Sequence, residues 1–339
     1  MPPTGSWPQL GCCFDRRLLG RGLGSARLRG GAAVTRRHPN LVLGGVVHGP
    51  RRIAFINEKG GSAKTTLVAS VAAYLALRRG RRVLGIDMDP QGQLGKVLGV
   101  DQREPTRTAI DLLLDSVLGD PSLDRAAPST TGGSHVLPTV RSRIPGLDVI
   151  VANKSLGLYP GWSDEDESDP TRRLADTLEA SAELDRYEFV LFDAPPSFGP
   201  LTLNVLRAAN EVVVPVPLTY LALDGCAELV RTITTVRERY DHERLKITMV
   251  VPTFYRRTKM AHEILEKLKQ RFPKEIAHTV VGYHVKIDEA QSRGLSIFEY
   301  APRDRGAAVM AELAEELELR QQAPGVDTPE GAPHAGVQP

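Results

Sequence analysis

Residues 53–66, IAFINEKGGSAKTT, constrain the chain most: a β-branched apolar run passes into a glycine-containing loop and then into a helix that opens with Lys64, Thr65 and Thr66. Such a strand, loop and helix aim successive backbone N–H groups and the positive end of a helix at one point, which suits phosphate. Lys64 is the expected partner of the β- and γ-phosphates, and the Thr65 hydroxyl is expected in a Mg²⁺ shell. Thr66 adds a contact at the α-phosphate. The strict pattern G-x-x-x-x-G-K-[ST] is missed twice, because Glu58 and Ala63 stand at its two glycine positions.

From Arg51 onward, short apolar runs alternate with longer helical patterns, the mark of repeated βαβ units. Strands are expected at 53–57, 83–87, 147–151, 189–193, 211–216 and 246–251. Helices are expected at 64–79, 170–184, 201–209, 223–240 and 258–271. Near-continuous apolar strands such as VVVPV imply burial on both faces. The fold class expected is therefore α/β: a doubly wound, mainly parallel sheet with helices on both faces, as in P-loop NTPases.

One ATPase domain is expected over 51–320. Residues 1–50 carry seven Arg against one Asp and read either as a disordered arm or as sequence upstream of the real translation start. Residues 121–145, rich in Pro, Gly, Ser and Thr, read as a surface excursion, and the acidic run 164–169 as a solvated loop. Residues 321–339 form a Pro/Gly tail unable to bury enough surface to order itself.

Composition narrows the partners. A formal charge of +2 over 339 residues means that any attraction to nucleic acid comes from a local patch. The cysteines, Cys12, Cys13 and Cys226, supply neither a disulfide framework nor a spaced zinc set, which fits a reducing cytosol. No apolar run reaches the roughly 18–20 residues that span a bilayer.

Two further segments carry carboxylates. IDMDPQGQ places Asp87 and Asp89 just past the end of a strand, where open α/β sheets bind ligands. FVLFDAPPS is an apolar strand ending in Asp193, stopped by two prolines, and can hold a Mg²⁺ shell through water. Phosphoryl transfer needs positioned phosphates, a metal and an oriented water more than a covalent nucleophile.

Taken together the motifs resemble the ParA/MinD family of deviant Walker A ATPases. Its loop, K-G-G-x-G-K-T-T, is matched by Lys59, Gly60, Gly61, Ser62 at the free position, Lys64, Thr65 and Thr66, with Ala63 the single departure. The resemblance runs from about residue 51 to 319. It implies ATP and Mg²⁺ as cofactors and an ATP-sandwich homodimer in which Lys59 reaches the partner's nucleotide. It also implies that Asp89 orients the attacking water, that Asp87 supports the Mg²⁺ environment, and that 60–66 cradle the phosphates. The family's closing segment is matched by GYHVKIDEAQSRG, except that Gly282-Tyr283-His284 stand where relatives have a Pro-containing turn near the adenine.

Function within the family depends on accessory surfaces. A MinD-like membrane helix is disfavoured, since no basic residue follows Arg320. An iron–sulfur reductase lacks its cysteine pair, and the tyrosine-rich tail of the related kinases is missing. The ParA/Soj-like branch binds DNA without sequence preference through basic residues, and Arg256, Arg257, Lys259 and Lys286 resemble its sites. The expectation is a slow, partner-stimulated ATP hydrolase, cytoplasmic and nucleoid-associated, with no membrane contact. It would use a ParB-like activator to position or segregate a chromosome or plasmid. The alternative is a nucleotide-dependent regulatory or MinD-like positioning protein with weak hydrolysis and no DNA binding.

Overall fold

The computed structural model describes residues 49–100, 107–114, 136–159, 169–219 and 222–320. The expected arm before residue 49, the bulk of the excursion at 121–135, the acidic run at 164–168 and the tail at 321–339 lie outside the described residues.

The elements in chain order are β1 (Arg51–Phe55), α1 (Lys64–Arg79), β2 (Val83–Asp87), α2 (Gln93–Val97), α3 (Asp111–Leu114), β3 (Val140–Arg141), β4 (Leu147–Ile150), α4 (Arg173–Ala180), β5 (Phe189–Asp193), α5 (Pro200–Ala208), β6 (Glu211–Pro217), α6 (Ala222–Arg239), β7 (Lys246–Thr253), α7 (Lys259–Arg271), α8 (Val285–Ser292), α9 (Ile297–Tyr300) and α10 (Arg305–Leu319). The strands form one sheet in the order β3-β4-β2-β5-β1-β6-β7, parallel except for β3. This is the doubly wound α/β architecture of P-loop NTPases.

Alternate residues of each strand feed two cores. Ala54 and Ile56 join Leu112, Leu174, Val205, Leu229 and Ile264 from α3–α7 on one face. Ile53 and Phe55 join Leu67, Leu94, Ile287, Ile297 and Met310 from α1, α2 and α8–α10 on the other. Period-two side-chain alternation with helices over both faces leaves the strand ends as the only places where polar chemistry can gather.

Three local differences from the expected boundaries have physical causes. β1 starts at Arg51 because its guanidinium is neutralised inside the fold: Nε lies 2.6 Å and Nη2 2.8 Å from the two Glu211 oxygens, and Nη1 donates to Leu317 O at 2.9 Å. It ends before Asn57 because that side chain takes over the backbone's partners: Nδ2 donates to Pro215 O at 2.6 Å and Oδ1 accepts from Lys59 N at 2.8 Å. The helix expected at 170–184 divides at Ser181, whose ψ of 112° breaks the helix, and resumes as a 3₁₀ turn at Ala182–Arg186.

A close approach joins the segment after α2 to the segment after α8. Gly99 and Gly294 both have left-handed φ, and a Cβ on Gly294 would lie 2.8 Å from Gly99 Cα. Arg143, from the turn before β4, donates to Gly294 O over this contact.

Candidate functional site

β2, β5 and β1 are neighbours in the sheet, so their carboxyl ends bring three loops to one place. The loop after β1 holds two left-handed residues, Gly61 at φ 69° and Ala63 at φ 75°. The glycine adopts this freely; the alanine costs about 1 kcal/mol. Ala63 caps α1 without any side-chain hydrogen bond, so the helix presents its first N–H groups unsatisfied toward the loop. Residues 60–66, where a phosphate cradle is expected, take this backbone shape.

Charged groups converge on this loop. Lys64 is 7% exposed and its Nζ donates to Asn57 O at 3.0 Å, folding the side chain back over the loop. Burial pulls its ammonium below the usual range, opposed by Asp193 and Asp89. The Thr65 hydroxyl donates to Asp193 Oδ2 at 2.6 Å. The other oxygen, Asp193 Oδ1, is buried without a hydrogen-bond partner. Burial drives the Asp193 carboxyl well up from its ordinary value, offset by the Thr65 hydrogen bond and Lys64.

An orphaned buried carboxylate oxygen costs on the order of 1–3 kcal/mol unless something answers it. A divalent cation does so, and the Thr65 hydroxyl beside it is a further hard oxygen ligand. The residues present therefore fit Mg²⁺ held by few protein ligands alongside substrate phosphates. Among the described residues, no cluster of three or more His, Cys, Asp or Glu forms an all-protein metal cage.

Asp87 and Asp193 are register partners on adjacent strands, yet their carboxylates do different things. Asp87 is fully buried; its Oδ1 accepts from Asp89 N at 3.1 Å and its Oδ2 from Leu94 N at 2.9 Å. Burial and the neighbouring Asp193 raise it well above the carboxylate range. Both of its oxygens thus tie down the turn that carries Asp89 and the start of α2, a role that the sequence reading of Asp87 as Mg²⁺ support did not foresee. Asp89 is half-buried, with Oδ1 accepting from Gln91 N at 2.9 Å.

The remaining loop residues point elsewhere. Lys59 is exposed, and its Nζ donates to Thr219 Oγ1 at 3.1 Å beyond the end of β6. Gly60 is exposed, while Ser62 is 1% exposed with its Oγ unpartnered. Thr66 Oγ1 lies 3.5 Å from Gln291 Oε1 on α8. Asn57 and Gln291 are contacts that motif matching passed over. Only Asn57 carried a sequence signal, as an Asx-turn former at the end of an apolar run.

The expected DNA-binding residues lie on a separate edge. β7 is the last strand, and a parallel bridge pairs Tyr255 with Gly282 just past it, with Tyr255 N donating to Val281 O at 3.2 Å. The bridge sets Arg256, Arg257 and Lys259 beside the segment that leads to Lys286. All four are exposed. Lys286 Nζ lies 2.8 Å from Glu289, and Lys259 Nζ 3.9 Å from Glu263.

Residues 50–247 match the AAA_31 family, described as an AAA domain. The chain is 37% identical to the chromosome-partitioning ATPase Soj of Thermus thermophilus, over 80% of this chain and 97% of that protein. It is 34% identical to the chromosome partitioning protein ParA of Caulobacter vibrioides, over 80% and 95%. Among solved structures it is similar to cobyrinic acid a,c-diamide synthase of Mycobacterium smegmatis with bound ATP analog and magnesium: TM-score 0.61, 28% identity, 81% of this chain and 96% of that one. The cell division ATPase MinD of Pyrococcus furiosus shares the fold, with a TM-score of 0.57 at 22% identity over 79% and 98%.

Proposed function

The chain belongs to the ParA/Soj family of P-loop partitioning ATPases, and from that premise we propose a nucleotide-switched cycle: ATP closes a homodimer, the dimer holds DNA without sequence preference, and partner-stimulated hydrolysis releases it. ATP and Mg²⁺ are the cofactors of this family, and its members act in positioning and partitioning. The observation that carries the reading is the convergence of Lys64, Thr65, Asp89 and Asp193 at the carboxyl ends of three adjacent strands.

In this reading the backbone of residues 60–66 cradles the phosphates, and Lys64 neutralises the β- and γ-oxygens. Thr65 and Asp193 hold Mg²⁺, with Asp87 behind them fixing the turn. Mg²⁺ supplies charge neutralisation on the transferred phosphoryl group. Asp89 orients the attacking water, and the exposed Lys59 exchanges its contact with Thr219 Oγ1 for a nucleotide bound by the partner. The reaction is slow until an activator of the ParB type completes the site. The cargo is a chromosome or plasmid, and the protein works in the cytoplasm on the nucleoid. Among the described residues no helix is long and apolar enough to cross a membrane.

One observation favours the second reading, a nucleotide-dependent regulator with weak hydrolysis: Ala63 sits strained at the loop position where the family has glycine. Light scattering of the full chain with ADP, with ATP, and as Asp89→Ala with ATP separates the two. A dimer with ATP that persists in Asp89→Ala, and a monomer with ADP, supports the cycle. A monomer with ATP bound contradicts it.

A further inference from the structure

The basic edge is not purely basic. Beyond β7, residues 252–255 run beside 281–282, with Val281 N donating to Pro252 O at 2.9 Å and Tyr255 N to Val281 O at 3.2 Å. Each segment then turns into a helix: Thr258 caps α7 through Ala261 N, and His284 precedes α8. Two helix N-termini therefore open at one edge, where their dipoles favour anions.

Apolar side chains are exposed on the same two turns: Tyr283 at 57%, Val285 at 57% and Met260 at 48%. They alternate with the cations, and the side chains of Arg256 and Arg257 have no hydrogen-bond or ion-pair partner among the described residues. The Asp288 carboxylate beside it raises the Tyr283 phenol.

Duplex DNA offers such a surface its phosphates but keeps its base faces stacked inside. An exposed aromatic ring on the turn that the Tyr255–Gly282 bridge sets beside Arg256 and Arg257 matches the requirements of single strands: cations along the backbone and an aromatic ring on which a base stacks, tolerant of sequence. We propose that this edge takes unpaired nucleotides, with a base stacked on Tyr283 and the flanking phosphates on Arg256, Arg257 and Lys286. The inference rests on the nucleic-acid reading of the edge and adds to it a preference for exposed bases. DNA and RNA single strands share this chemistry.

The test measures fluorescence anisotropy of labelled 20-mer oligo(dT), oligo(rU) and a 20-base-pair duplex with the full chain and ATP across a salt series. Tyr283→Ala should weaken the single strands by about 5- to 150-fold, the range for losing one stacked base, and the duplex by less than about twofold. Tyr283→Phe keeps the ring and should retain wild-type single-strand affinity. Unequal binding of oligo(dT) and oligo(rU) identifies which single strand is preferred, and loss on Tyr283→Ala in either supports stacking.

Equal weakening of duplex and single strand in Tyr283→Ala, or no weakening of either, overturns the proposal while leaving duplex binding as a cation effect. Reduced ATP affinity in Tyr283→Ala overturns it by assigning the ring to the nucleotide. Retention of phosphatidylserine vesicles without any oligonucleotide binding overturns both the stacking and the nucleic-acid reading, as does a wild-type chain that binds neither strand form.

Discussion

The phosphate loop and the basic edge are built on opposite physical terms. At the loop the central groups are engaged, Lys64 with Asn57 O, Thr65 with Asp193, and the buried Asp87 with two backbone N–H groups, while Lys59 alone of the two loop lysines is exposed. At the edge the charges stand in water, and Lys259, whose side chain is 93% exposed, has a carboxylate no nearer than 3.9 Å. Buried charges interact at low effective dielectric and resist screening, whereas exposed ones lose most of their effect beyond a Debye length of about 8 Å in physiological salt. A site for chemistry needs the first condition. A surface that must grip and release a polyanion works through the second.

That contrast can be broken by substitution, beginning with the largest effect. Asp89→Ala should lower kcat by about 10²- to 10⁴-fold while ATP still binds, as for loss of a group that orients or deprotonates the nucleophile. Steady-state turnover alongside nucleotide affinity checks it; ordinary turnover removes Asp89 from the mechanism. Lys64→Ala should weaken ATP by about 100-fold, from ~3 kcal/mol of lost charge-assisted contact. The loss should persist at high salt, read by calorimetric titration at two ionic strengths.

The edge should answer differently. Arg257→Ala should weaken duplex DNA by roughly the same factor for any sequence and reduce the slope of log K against log salt by about 1. An unaltered slope would exclude Arg257 from phosphate contact. The smallest effect sharpens the comparison within the loop itself: Ala63→Gly relieves a left-handed alanine and should raise unfolding stability by up to about 1 kcal/mol. Chemical denaturation measures this, and a destabilised variant would show that the Ala63 methyl contributes packing that outweighs the strain.

The legibility of the two regions differs for the same reason. The loop could be read because geometry dictates its residue types: a left-handed turn, a lysine and a threonine at the start of a helix, and a carboxylate at the end of each neighbouring strand. The bounds of α1, β2 and β5 are those expected. The shift of β1 could not be read, since an arginine opening a buried strand makes sense only with Glu211 beside it, 160 residues away. The hydrogen bonds of Asp87 were hidden likewise, because the Leu94 N–H that its carboxylate accepts belongs to a short helix, α2, without a periodic signature.

Helix α10 was legible but is absent from the expected elements. Ala307, Met310, Leu313, Ala314 and Leu317 are buried at helical spacing after an Asp304 N-cap. The two-residue β3 pairs with β4 inside a stretch whose composition signals only a loop. The edge was read by resemblance as a set of cations. Its exposed Tyr283 and Val285 became meaningful only when the Tyr255–Gly282 bridge set the two segments side by side.

Retention of a nonspecific duplex by the full chain, without nucleotide, with ADP and with ATP, across a salt series, tests the central claim most directly. The account predicts retention with ATP alone, falling steeply as salt rises. Equal retention in all three states, or none in any while ATP is bound, would contradict a nucleotide-switched grip on DNA.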